Sequence, residues 1–209
     1  MNPLSLTLHI SYVLMRRISS ILGLRSVVLG LVVLTASATA ALAQKPEEYD
    51  VKAAFLLNFA RFAEWPAEAF VDAAAPLVIG VVGEDPFGPV LDASVAGKRV
   101  HGRRIQVRRL ADGPGGFPGY HLLFFGKMAS RQSRRDLLAK ASELHILTVG
   151  EADDFCKDGG VINLVLRRSR VRFQIDPGAA ERAGLRLSVR LLRLAELVDS
   201  RRSERKTAR

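Results

Sequence analysis

Apolar and polar positions along this 209-residue sequence fall into two rhythms. In residues 51–64 (VKAAFLLNFARFAE), Val51, Phe55, Phe59 and Phe62 recur at spacings of four, four and three. That predicts an amphipathic helix burying those four side chains, with Lys52, Asn58, Arg61 and Glu64 on its polar side and Trp65-Pro66 ending it. Short continuous apolar runs at 77–82 (LVIGVV), 121–125 (HLLFF) and 145–149 (HILTV) predict buried strands. Residues 104–110 (RIQVRRL) alternate Ile105 and Val107 with Arg and Gln, the pattern of a half-exposed strand. Residues 87–96 and 131–143 predict helices, the first stopped by Gly97, and 112–119 reads as a loop. Residues 161–166 and 171–175 flank the polar turn 167–170 as an antiparallel hairpin. Residues 179–198 predict one long helix with Leu187, Leu191, Leu194 and Val198 on one face, and Arg186 and Arg193 turned away. Together these elements predict a single-domain α/β sandwich. Its mostly parallel sheet is flanked by helices, with a C-terminal β-hairpin and a long C-terminal helix.

The first 43 residues follow another logic. Arg16, Arg17 and Arg25 precede the apolar run 27–34, and small residues lead to Ala41-Leu42-Ala43. This is the pattern of a secretory signal peptide cleaved after Ala43, which places the rest of the chain in the periplasm. An uncleaved anchor is the alternative, but 27–43 is short for a bilayer and is diluted by Thr35, Ser37 and Thr39. Met15, directly before Arg16-Arg17, is an alternative start. The expected organisation is a signal peptide at 1–43, an α/β domain at 44–199 and a basic disordered tail at 200–209.

Charge changes the picture less than its total suggests. The formal net charge is +10, but three cations leave with the leader and the tail nets +4, which leaves +3 on 44–199. A nearly balanced exported domain argues against nucleic acid as a partner. Cys156 is the lone cysteine, so no disulfide can form within one chain. His101, His121 and His145 are scattered without metal-ligand spacing, and the sequence calls for no metal or cofactor.

Candidate sites are few. Gly83, Glu84 and Asp85 follow the 77–82 strand, where α/β sheets bind ligands, although a tight glycine turn is the favoured explanation. Thr148–Glu151 with Asp153 and Asp154 forms a second such end, its carboxylates placed to cap a following helix. Asn163 falls among apolar neighbours and could pair with Arg172 across the hairpin. Trp65 and Phe70, within the apolar stretch 65–71, are candidate partner contacts as well as core residues. No catalytic constellation is present: there is no P-loop, no GxGxxG and no nucleophile elbow.

Several strings occur together in order: 51–66 (VKAAFLLNFARFAEWP), 80–88 (GVVGEDPFG), 96–105 (AGKRVHGRRI), 147–149 (LTV), 159–164 (GGVINL), 170–175 (RVRFQI) and 179–194. Jointly they resemble the YfiR family over 47–198. The resemblance implies a non-enzymatic periplasmic regulator, often a homodimer, that restrains a membrane diguanylate cyclase until an outer-membrane lipoprotein sequesters it. A membrane sensor kinase is the other partner such a domain could serve. Two departures stand out: only Cys156 remains where such regulators use disulfides, and Asp176 stands where the family commonly has Asn. The rival reading is a periplasmic small-molecule binding module whose pocket is built from turns 83–85 and 148–151.

Overall fold

In the computed structural model, residues 47–110, 116–128 and 130–200 are described; the leader, the tail beyond Ser200 and the first half of the 112–119 loop lie outside them. Strands β2 (Leu77–Val82) and β5 (Leu122–Phe125) lie side by side at the centre of the sheet, and every residue of both is buried. Burial on both faces is why they read as unbroken apolar runs. Alternate side chains serve two cores. Leu122 and Phe124 join Leu56, Phe59 and Leu91 on one face, and Leu123 and Phe125 join Leu138 and Phe155 on the other.

The sheet has eight strands. β4 (Arg103–Leu110), β2, β5, β6 (Leu147–Gly150) and β7 (Ile162–Arg167) run parallel as neighbours in that order. The chain leaves β2 toward β4 on one side and later returns to place β5 on the other, so the winding reverses at β2/β5. β8 (Arg170–Ile175) closes the hairpin antiparallel to β7, with Arg168 and Ser169 at positive φ in its two-residue turn. β10 (Glu196–Leu197) and β3 (Arg99–Val100) end the two edges. Helix α1 (47–62) and α2 (Pro89–Val95) supply the larger core, and α3 (Arg131–Glu143), capped by Ser130, covers the smaller one.

Two expectations need correction. The buried positions of α1 are Lys52, Ala53, Leu56, Leu57, Phe59 and Ala60, a stripe rotated from the phenylalanine one. Phe55 and Phe62 are half-buried flanks, and Val51 is exposed. Alanines let the helix axis approach the sheet, so the contact centres on small residues, and Lys52 falls on the buried side.

The long C-terminal helix does not form. Residues 177–197 divide into α4 (Pro177–Arg182), β9 (Arg186–Leu187), α5 (Val189–Leu194) and β10. Gly184 takes φ +68°, which ends α4, and the Ser188 side chain accepts the Leu191 N–H to start α5. Between them, β9 pairs antiparallel with β1 (Ala63–Glu64), the continuation of α1. Of the expected apolar face only Leu191 is buried; Leu194 is 69% exposed.

Candidate functional site at the carboxyl edge of the sheet

The parallel strands all end on one edge, and β6 delivers Glu151 there, one residue beyond Gly150. The first turn of α1 meets it. Tyr49 Oη donates to Glu151 Oε1 at 3.1 Å, and Lys52 Nζ lies 2.6 Å from Glu151 Oε2 and 2.5 Å from Glu48 Oε1. The Tyr49 ring packs edge-on against Phe87, with centroids 5.4 Å apart. With residues 164–167 of β7 these groups bound an open cleft of about 390 Å³.

Burial alone would push the Lys52 ammonium down, but its hydrogen bonds to Glu151 and Glu48 outweigh that and hold it above the ordinary lysine value. Burial, reinforced by the Glu151 charge, pushes Tyr49 up to about 12. Both groups therefore keep their protons at neutral pH. The cluster holds α1 to β6 and presents carboxylate oxygens toward the cleft. The hydrophobic pattern hides it, because Lys52 falls among the polar positions of the 51–64 periodicity. The spacing of Glu48 and Lys52, one helical turn apart in the favourable order, was the available signal.

Gly83, Glu84 and Asp85 do sit at the β2 carboxyl end, at the reversal point of the winding. There the backbone is tied shut. Glu84 bridges to Lys127 (N···O 3.2 Å), and the Gly126 N–H donates to Val82 O at 2.9 Å. A Cβ on Gly126 would stand 2.0 Å from Glu84 O, and one on Gly83 2.7 Å from Lys127 O. Asp85 Oδ1 accepts the Phe87 N–H at 2.8 Å, and its Oδ2 accepts from Arg109 Nε at 3.0 Å. Arg109 also grips Asp92, which holds the Asp92 carboxyl below its ordinary range.

Asn163 and Arg172 are not partners. The hairpin register sets Asn163 opposite Gln174 and Arg172 opposite Val165. Asn163 Nδ2 donates to Gln174 Oε1 at 3.4 Å, and its buried Oδ1 has no partner among the described residues. Trp65 and Phe70 come together around His121. Trp65 Nε1 donates to His121 O at 3.0 Å, and Phe70 stacks on the imidazole at 4.2 Å. On its other face Phe70 receives the Arg103 guanidinium at 3.7 Å, so both aromatic rings are engaged internally. Cys156 is buried, its thiol pushed up to about 12 chiefly by burial.

Of the other carboxylates at this edge, Asp154 pairs with Lys157 and Arg131 rather than capping a helix. Asp158, with its side chain fully buried, takes three arginines of α3: Arg131, Arg134 and Arg135. Burial would raise its carboxyl, but those three hydrogen-bonded guanidinium groups hold it below the usual range.

The sequence model described as YfiR/HmsC-like matches residues 49–196. No curated protein matches the chain. One solved structure, a conserved domain protein from Vibrio cholerae O1 biovar El Tor, is similar at 12% identity and a TM-score of 0.43. That likeness covers 57% of this chain and 54% of the other, so the chain spans about half of that relative's length.

Proposed function

The chain belongs to the YfiR/HmsC-like family, and from that premise we propose that it is an exported, non-enzymatic regulator that controls a membrane-bound diguanylate cyclase from the periplasm by protein–protein contact. The observation that carries this reading is the extent of the family match, 49–196, which takes in almost all of the described domain. The basic, apolar and A-x-A pattern of residues 16–43 supports export. Among the described residues no helix is long and apolar enough to cross a membrane.

The test is deletion of the gene followed by return of residues 1–200. Deletion raises cyclic-di-GMP, and the exported domain restores the low level. Unchanged cyclic-di-GMP in a strain that expresses the gene overturns the cyclase version. A second reading, a small-molecule binding module, draws on the 390 Å³ cleft beside Lys52 and Glu151, and an unchanged level puts it ahead.

A further inference from the structure

The net charge of the domain is concentrated on one sheet edge. Residues 98–110 (KRVHGRRIQVRRL) carry six cations and no carboxylate. Without them the +3 of residues 44–199 becomes −3. The structure folds this segment into β3 and β4, the terminal strands of the sheet. Arg109 is neutralised by Asp85 and Asp92. Arg99 and Arg103 donate to backbone carbonyls, and Arg108 to the Gln106 side chain. Among the described residues, Lys98, Arg99, Arg103, Arg104 and Arg108 have no carboxylate partner.

The edge is also open. β3 pairs with β4 only at Arg103 and Arg104, so from Ile105 to Leu110 one side of β4 has no strand partner among the described residues. Arg104, Gln106 and Arg108 alternate on its exposed face, with successive side chains about 7 Å apart along the strand. An unpaired edge offers directional N–H and C=O groups, and the guanidinium row adds a charge requirement.

We propose that the β4 edge is a docking site for an acidic, extended polypeptide segment of a partner protein, which adds as a further strand while its carboxylates meet Arg104 and Arg108. The proposal rests on the contact-regulator reading above and gives it a surface. A strand fits better than an anionic membrane. The carboxylates Asp85 and Asp92 flank one end of the ribbon, and Asp72 lies beside Arg103 at the other. A strand along 105–110 turns alternate carboxylates toward Arg104 and Arg108, away from the face on which Arg109 holds Asp85 and Asp92. Cations on an edge also discourage edge-to-edge aggregation, so the experiment must separate protection from recognition.

The probe is an eight-residue peptide of alternating Glu and Val, titrated against the mature chain. A Glu-Pro peptide of equal length and charge and phosphatidylglycerol vesicles serve as comparisons. The Glu-Val peptide binds at least tenfold tighter than the Glu-Pro peptide, because proline cannot complete a strand ladder. Arg104→Glu/Arg108→Glu weakens Glu-Val binding at least tenfold with an unchanged melting temperature, while Arg104→Lys/Arg108→Lys retains most of it. Equal binding of the two peptides, or Glu-Val binding indifferent to the reversal, overturns the proposal in favour of a protective edge. Vesicle binding that is lost in the reversal variant without peptide binding overturns it in favour of a membrane. In cells the reversal variant fails to restore low cyclic-di-GMP. If it restores the level fully, the edge is not the partner surface and the regulator reading stands. If deletion itself changes nothing while the Glu-Val peptide still binds the edge, the regulator reading fails and the edge site stands.

Discussion

Burying a lysine is expensive unless its charge is met, and Lys52, 5% exposed, is met by two carboxylates. Lys52→Met removes the pair and leaves Glu151 and Glu48 to water, since each keeps about a quarter of its side chain exposed. The expected loss is about 1.5–3 kcal/mol by urea unfolding, the range for hydrogen bonds to a charged group. A variant as stable as wild type would mean that the ion pair merely offsets its own desolvation. Phe59, fully buried against Phe55 and Phe173, carries more. Phe59→Ala costs about 3–5 kcal/mol, and Phe55→Ala, a half-buried flank, clearly less.

His121 gives the domain an acid limit. Its Nδ1 accepts the Val78 N–H at 3.1 Å, which leaves Nε2 to donate to Ala69 O at 3.1 Å and fixes the neutral ring. Burial lowers its pKa from 6.5 to about 4, with the Arg103 charge adding to the effect. Between those values the unfolded chain holds a proton that the folded chain refuses. Stability is therefore full above about pH 6.5 and falls as pH drops toward 4. His121→Gln flattens that slope in unfolding titrations between pH 6.5 and 4.5; an unaltered slope would assign it to other groups.

At the scale of elements, the C-terminal region turns on one backbone angle. Gly184 sits at φ +68°, and a Cβ there would lie 2.9 Å from His145 Nδ1, the atom bonded to Ala183 O. Gly184→Ala should therefore cost about 1–2 kcal/mol and add no helical signal by circular dichroism. A rise in helicity at unchanged stability would show that the 179–198 periodicity can override the turn. Phe155 is held by a different use of glycine. Its ring lies between Gly150 and Gly160, where a Cβ would approach within 2.3 Å and 2.2 Å. The two glycines thus bring the 151–161 loop down onto the sheet, and Asp158 with its three arginines fastens the loop to α3.

At the scale of the molecule, the N-terminal and C-terminal segments of the described residues meet. β1 pairs with β9, the Ser188 N–H donates to Phe62 O, and the buried Ser200 hydroxyl donates to Asp176. A chain ending at Asp199 loses that last bond and should be about 1 kcal/mol less stable than one ending at Ser200. The chain ending at Ser200 should melt with full-length protein. If it melts several degrees lower, residues 201–209 contribute to the fold.

Periodicity along the chain was enough for most of this architecture. The buried runs at 77–82 and 121–125, the α3 helix at 131–143 and the 167–170 turn are local statements, because a strand buried on two faces has to be apolar throughout and a hairpin turn has to be polar. The family could also be read there, from strings spread over the whole domain. Elsewhere local pattern failed where distant partners decided. Leu187 and Leu191 have helical spacing, but β1 claims Leu187 as a strand residue. Lys52 has a polar side chain, yet Glu151, far away in sequence, makes its burial tolerable. Asn163 faces Gln174 rather than Arg172 because register, set by the whole hairpin, fixes cross-strand neighbours. The basic row of 98–110 was written in the sequence. That it lies along an open edge was decided only by strand order, since an edge is a relation among strands and belongs to no single segment.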